Sequence, residues 1–199
     1  MLKCLLVLVV GYVLGSLSMS IILSRSVLGE DVREKGSGNA GATNMARNFG
    51  LKAGFLTLGG DMLKAFLAMF LGRLLLGDTG IALGGIACIT GHCFPVFHDF
   101  KGGKGISVGA AIGLAIDWRV FVGIILVFLI AAFLSKKVSL GSICAAVAIL
   151  VLSIVFHVGF AKIVLAGYSM CLAISQHREN IGRLLKGTEP DFKAGKEKL

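Results

Sequence analysis

Charge is what this chain has least of. Asp, Glu, Lys and Arg make up 16% of the residues against 56% hydrophobic, and the mean hydropathy is +0.88. An ordinary soluble domain carries about a quarter charged residues, so that class is excluded and a polytopic membrane protein is indicated. Proline is scarcer still, at two residues beside 28 glycines, which suits helices packed closely through small side chains. At 199 residues there is room for about seven short spans and no separate soluble domain. The five cysteines (Cys4, Cys88, Cys93, Cys144, Cys171) form no CxxC pair and lie in or beside apolar runs. They read as reduced packing residues, so neither a zinc site nor a disulfide framework is expected. Zinc-ligand spacing and a Walker A loop are missing, which removes several common metal-dependent and nucleotide-binding classes.

Seven apolar segments are expected to cross a bilayer, at about residues 2–23, 54–76, 81–97, 103–116, 118–134, 138–156 and 160–175, with 176–199 a cytoplasmic tail. The first of them is expected to be a retained helix and not a cleaved signal. Several are under 18 residues, so some must be short or bent. The net charge of +9 does not read as a nucleic-acid surface, because the basic residues sort by loop. Fifteen of the twenty Lys and Arg fall on one side, among them Arg25, Arg33, Lys52, Lys136, Lys137 and Lys186. By the positive-inside rule that side is cytoplasmic, which puts the N-terminus outside and the C-terminus inside. The expected fold is thus all-α, one membrane domain. Asp61 and Lys64, three apart within the second segment, are expected to form a structural ion pair facing the bundle.

Three polar clusters then fall on the cytoplasmic face. In Gly91–Gly105, GHCFPVFHDFKGGKG, Lys101 and Lys104 bracket three glycines just before an apolar helix. Backbone N–H groups, a helix dipole and two ammonium groups make a phosphate-sized anion site. The same letters also fit a turn whose lysines only orient the chain. In KGSGNAGATNMAR (Lys35–Arg47), Ser37, Asn39, Thr43, Asn44 and Arg47 suit a helix start able to hold an anion, or else a soluble connector. In HRENIGRLLKGTE, His177, Asn180 and Arg183 recur every third residue, broadly on one helical face, which equally describes a solvated helix end. Ser139 and Ser142 could cap the sixth segment or donate to a ligand. Donors are many and bases few, chiefly His92, His98 and His177. Such a site suits substrates carrying phosphate, with catalysis by positioning and charge stabilisation.

In order, spacing and chain length, these three clusters resemble the cytoplasmic motifs of the bacterial acyl-phosphate:glycerol-3-phosphate acyltransferase family (PlsY). The HxxxxD pattern of the acyl-CoA-type glycerol phosphate acyltransferases is absent from all four histidines. The resemblance implies an integral enzyme of the bacterial cytoplasmic membrane, with seven helices and its active site on the cytoplasmic face. Its implied reaction moves a fatty acyl group from acyl phosphate to the 1-hydroxyl of glycerol 3-phosphate, giving lysophosphatidic acid and phosphate. It implies no cofactor and no metal. The partners would be the bilayer and the enzyme that makes acyl phosphate, with no nucleic acid. Carried over, Ser37, Arg47, Lys104, His177 and Asn180 take the catalytic and phosphate-binding positions. Gly102 and Gly103 become a backbone cradle, and Gly38, Asn39, Thr43, Asn44, His92, Lys101, Ser142 and Arg183 join as further substrate contacts. The attacking hydroxyl is deprotonated by a substrate phosphate in the family's proposed chemistry, or by His177. One departure touches the fold: Ser18 stands where the family commonly has proline, so a softer kink is expected in the first helix.

Overall fold

The computed structural model describes residues 1–199 and is entirely helical. In chain order the helices are α1 (Leu2–Ser16), α2 (Met19–Ser26), α3 (Ala42–Phe49), α4 (Leu51–Cys93), α5 (Ile106–Ile116), α6 (Trp118–Ser135), α7 (Val138–Val155), α8 (Phe160–Gln176) and α9 (Arg178–Leu185). Four stretches are long and apolar enough to cross a membrane, namely Leu2–Ser26, Leu51–His98, Trp118–Ser135 and Val138–Val155, and α5 and α8 are shorter apolar helices.

The 43 residues of α4 are two limbs, because Gly77 (φ 59°, ψ −139°) reverses the chain. Only glycine takes that conformation without steric strain. The limbs then run antiparallel at a separation set by their small residues. A Cβ on Gly72 would strike the backbone of Gly80, and one on Gly84 would lie 2.5 Å from the carbonyl oxygen of Ala68. Helix α1 packs on the second limb in the same way, with Gly15 against Cys88 and Gly91 against the carbonyl of Tyr12. In lipid there is no hydrophobic drive to bring helices together, so close backbone approach and dispersion contacts carry the association. Helices α5–α8 pack around this core, contributing Val108, Ile112, Val120, Ile124, Ile149 and Leu165. Outward faces are apolar, as in α6, where Leu126, Leu129, Ile130 and Phe133 are exposed and only Val120 and Ile124 are buried.

The expected soft kink in the first helix is instead a full break. Leu17 and Ser18 are extended (ψ 100° and 105°) between α1 and α2, without a proline. What holds the break is Lys64, whose Nζ donates to the carbonyl oxygens of Gly15 (2.9 Å) and Leu17 (2.7 Å). Two groups that a helix break leaves without partners are thereby satisfied. Nζ also lies 2.9 Å from Asp61 Oδ1 and 3.1 Å from His92 Nδ1. Both charged side chains are buried, and the pair faces the bundle as their spacing predicts.

Lys64→Met should therefore destabilise the protein by about 3–5 kcal/mol, because it strands the Asp61 carboxylate and two carbonyls together. Asp61→Asn should cost less, since Lys64 keeps its carbonyl acceptors. Thermal unfolding in detergent measures both, and equal losses would mean the carbonyl bonds contribute nothing.

Candidate active site

A cavity of about 930 Å³ opens where α3, the start of α5, α7, the α8–α9 junction and the chain after α9 converge. One wall is polar and carries Ser37, Arg47, Lys104, His177, Asn180 and Arg183. Another is apolar, with Ile124, Ile125 and Phe128 of α6 facing Ala145, Ala146 and Ile149 of α7. Such a space accepts a molecule with an anionic head and a hydrocarbon chain.

The loop before α3 is shaped by Asn44. Its Nδ2 donates to the carbonyls of Val32 (3.0 Å), Lys35 (3.0 Å) and Asn39 (3.1 Å), and its Oδ1 accepts from the Ser37 amide (3.1 Å). Asn48 adds a bond to the same oxygen (2.9 Å). Asn44 is buried at 2% exposure with its hydrogen-bonding capacity spent on the loop. It therefore clamps the loop from a position that also lines the cavity. What it displays is Ser37, exposed, with Asn39, Thr43 and Arg47 on the cavity wall. Gly38 (φ +70°) lies outside the lining and serves the loop's turn.

The Lys-Gly-Gly-Lys-Gly segment differs from expectation too. The Gly102 amide donates to the Cys93 carbonyl (3.2 Å) and the Gly103 amide to that of His92 (3.0 Å), so the expected cradle at these two glycines has no free donor. Their lack of a side chain serves close packing, since a Cβ on Gly103 would meet the His92 ring and one on Gly102 the His92 carbonyl. Free amides belong instead to the first turn of α5, whose N-cap Gly105 (φ 81°) lines the cavity with Ile106 and Ser107. Lys101 is exposed and outside the cavity lining, whereas Lys104 is on it. The two lysines differ because the segment turns between them. His98 is likewise outside the lining, and His92 closes the floor, held by Lys64.

Lys104 donates to Asn180 Oδ1. Asn180 Nδ2 donates to Glu189 Oε1 (2.7 Å), and Arg183 Nε donates to Glu189 Oε2 (2.7 Å). The recurrence of His177, Asn180 and Arg183 thus does place all three on the cavity. Burial works against the Glu189 charge, but the polar neighbours Ser139, Asn180 and Arg183 outweigh it and keep the carboxyl low. His177 Nδ1 lies 2.7 Å from the Ala173 carbonyl, which can only accept, so Nδ1 carries the proton. Burial, and next the Lys104 charge, push the His177 pKa below its ordinary value. A neutral imidazole with its Nε2 lone pair free follows.

Sequence reasoning missed Glu189 and the segment Pro190–Lys193, which also line the cavity. An acidic residue at the end of a basic cluster gave one signal for Glu189. For the rest there was none, since their placement comes from long-range packing. Ser142 is buried on the lining with Ser139. No three His, Cys, Asp or Glu side chains are grouped to hold a metal.

The sequence model described as "Glycerol-3-phosphate acyltransferase" matches residues 5–187. A glycerol-3-phosphate acyltransferase of Syntrophotalea carbinolica is 38% identical over 191 residues, covering 95% of this chain and 97% of that protein. One from Bacillus subtilis is 36% identical over 188 residues, covering 94% and 97%. Among solved structures, the glycerol 3-phosphate form of PlsY, an integral membrane glycerol 3-phosphate acyltransferase, superposes with a TM-score of 0.90 at 34% identity over 96% of both chains. Its lysophosphatidic acid form gives 0.88 at 33% identity, covering 96% of this chain and 95% of that one. With a match of that length in sequence and in fold, the chain belongs to the glycerol-3-phosphate acyltransferase family.

Proposed function

We propose that this acyltransferase takes its acyl group from acyl phosphate and delivers it to the 1-hydroxyl of glycerol 3-phosphate, giving lysophosphatidic acid and inorganic phosphate. The observation that carries the reading is the cavity itself, with phosphate-sized polar donors on one wall and a hydrocarbon-lined slot between α6 and α7 on another. Arg47, Lys104, Ser37 and the first amides of α5 hold the phosphate groups, with Asn180 orienting Lys104 and Arg183 adding charge. Asn39, Thr43 and Ser142 donate around the substrate, over a floor made by His92. The acyl chain lies along Ile124, Phe128 and Ile149.

In the transfer, the hydroxyl oxygen attacks the acyl carbonyl carbon, the acyl C–O bond to phosphorus breaks, and its electron pair leaves with phosphate. Cations at the rim stabilise the charge developing on the carbonyl and leaving oxygens. The hydroxyl proton goes to His177 Nε2 or to a substrate phosphate oxygen. Because acyl phosphate is already an activated mixed anhydride, direct transfer without an acyl-enzyme suffices.

The same reading places seven crossings at about residues 2–23, 54–76, 81–97, 103–116, 118–134, 138–156 and 160–175. The N-terminus is outside the bacterial cytoplasmic membrane, with the site and residues 176–199 on the cytoplasmic face. Its support is the side bias of Lys and Arg. The enzyme that makes acyl phosphate is the expected upstream partner.

Lys104→Ala and Arg47→Ala should each lower turnover by about 100-fold or more while leaving folding intact, with Arg73→Ala as the unaffected control. Glycerol 3-phosphate-dependent phosphate release from acyl phosphate, beside trials with acyl-CoA, is the assay. Near-full turnover by Lys104→Ala would overturn the phosphate-binding role, and activity only with acyl-CoA would overturn the donor.

His177 is held below its ordinary pKa of 6.5, so it stays neutral as pH falls through that value. The pH profile of kcat/KM should accordingly keep its plateau to below pH 6.5 before the acid limb begins. If Nε2 is the base, His177→Gln should lower kcat by about 100-fold or more and remove that limb. If a substrate phosphate takes the proton, the limb persists in the variant.

A further inference from the structure

Residues 189–199 lie beyond the stretch matched by the family, and they do not trail into solvent. After Glu189 enters the cavity wall, the chain crosses the rim and bonds to three separate parts of the molecule. Phe192 donates its amide to the Lys136 carbonyl (3.1 Å), Gly195 to that of Ala46 (3.0 Å) and Lys198 to that of Phe49 (3.2 Å). Glu197 Oε1 accepts from the Leu51 amide (2.8 Å). Lys198 Nζ sits 5.2 Å over the Phe49 ring, and Leu199 packs on the small core containing Met45 and Phe49.

The bonds of Gly195, Glu197 and Lys198 converge on one corner. Helix α3 ends at Phe49 and α4 begins at Leu51, so the Phe49 carbonyl and the Leu51 amide meet without intrahelical partners, while the Ala46 carbonyl, already bonded to the Gly50 amide (3.2 Å), takes Gly195 as a second donor. The tail supplies the missing groups to both, and the Glu197 carboxylate also sits at the positive end of the α4 dipole. Arg47 lies inside the bracket, between Ala46 and Phe49. The approach is close enough that a Cβ on Gly195 would strike the Arg47 carbonyl.

We infer that residues 189–199 form a strap that holds the α3–α4 corner and thereby positions Arg47, with Glu197 as the positioning residue. The inference rests on the phosphate-binding role proposed for Arg47. Glu197 is exposed and touches no substrate group, so its substitution does not threaten folding.

The test compares Glu197→Ala with Glu197→Gln, whose amide oxygen still accepts from Leu51. Glu197→Ala should raise KM for glycerol 3-phosphate about fivefold at nearly constant kcat, and Glu197→Gln should restore it. Lys196→Gln, on a side chain without a partner, serves as the control. In an Arg47→Lys background the Glu197→Ala effect should vanish, because both act through one side chain. An unchanged KM in Glu197→Ala, or full additivity with Arg47→Lys, would overturn the strap. Hydrogen–deuterium exchange over residues 46–54 reads the same bond without catalysis. Faster exchange in Glu197→Ala but not in Glu197→Gln is expected, and equal protection refutes it. Wild-type protein inactive with acyl phosphate would sink the proposed donor alone, leaving the exchange result to judge the strap.

Discussion

A buried ammonium cannot be left alone in an apolar bundle, and the requirement that Lys64 be paired organises much of this molecule. Its Nζ reaches Asp61 on its own limb of α4, His92 on the other limb, and two carbonyls at the break between α1 and α2. Each partner is one that the charge needs to offset its desolvation. Meeting that need fixes the register of the α4 hairpin and the position of the first helix. It also fixes His92, whose carbonyl in turn accepts from Gly103. The segment leading into α5 is therefore tied, two bonds away, to a buried charge pair in the bundle. A rigid support of this kind suits a site whose chemistry depends on placement more than on reactive side chains.

Glycine has two separate uses in this fold. At Gly77 the backbone conformation itself excludes other residues, and at Gly105 it disfavours them. At Gly72, Gly84, Gly102 and Gly103 the requirement is space, because another backbone or ring occupies the volume a Cβ would take. The distinction matters for the site. The Lys-Gly-Gly-Lys-Gly segment resembles a phosphate-binding loop in composition, yet its central amides are spent on α4 carbonyls. The donors it offers are the ammonium of Lys104 and the helix start that the segment delivers.

Much of this was legible in the sequence, and the limits are physical. Apolar runs and the biased placement of Lys and Arg reveal an all-helical membrane protein, because lipid demands both patterns. The three polar clusters carry the family resemblance, and Arg47, Lys104, His177 and Asn180 do converge on one cavity. Asp61 and Lys64 were paired correctly from their spacing alone. What could not be read was which polar residue faces inward. Asn44 looks like any loop asparagine, and its clamp appears only when the carbonyls of Val32, Lys35 and Asn39 curl around it. Lys101 and Lys104 are equivalent as letters and opposite in placement. The end of the chain depends on contacts such as that of Glu197 with Leu51, 146 residues apart in sequence, which no local pattern encodes.

The presence of Glu189 among the cations of an anion-binding wall calls for a physical reason. Alone, Arg183 and the amide of Asn180 would sample several rotamers, and ordering them would be charged against substrate binding. Glu189 accepts from both and holds them in place beforehand, and Asn180 then turns its oxygen toward Lys104. The carboxylate also lowers the local positive potential. In the proposed reaction, which releases inorganic phosphate at each turnover, that reduction is useful, because binding phosphate too tightly in the product state would slow release without stabilising the transition state. On the proposed reaction, then, Glu189 exchanges some affinity for preorganisation.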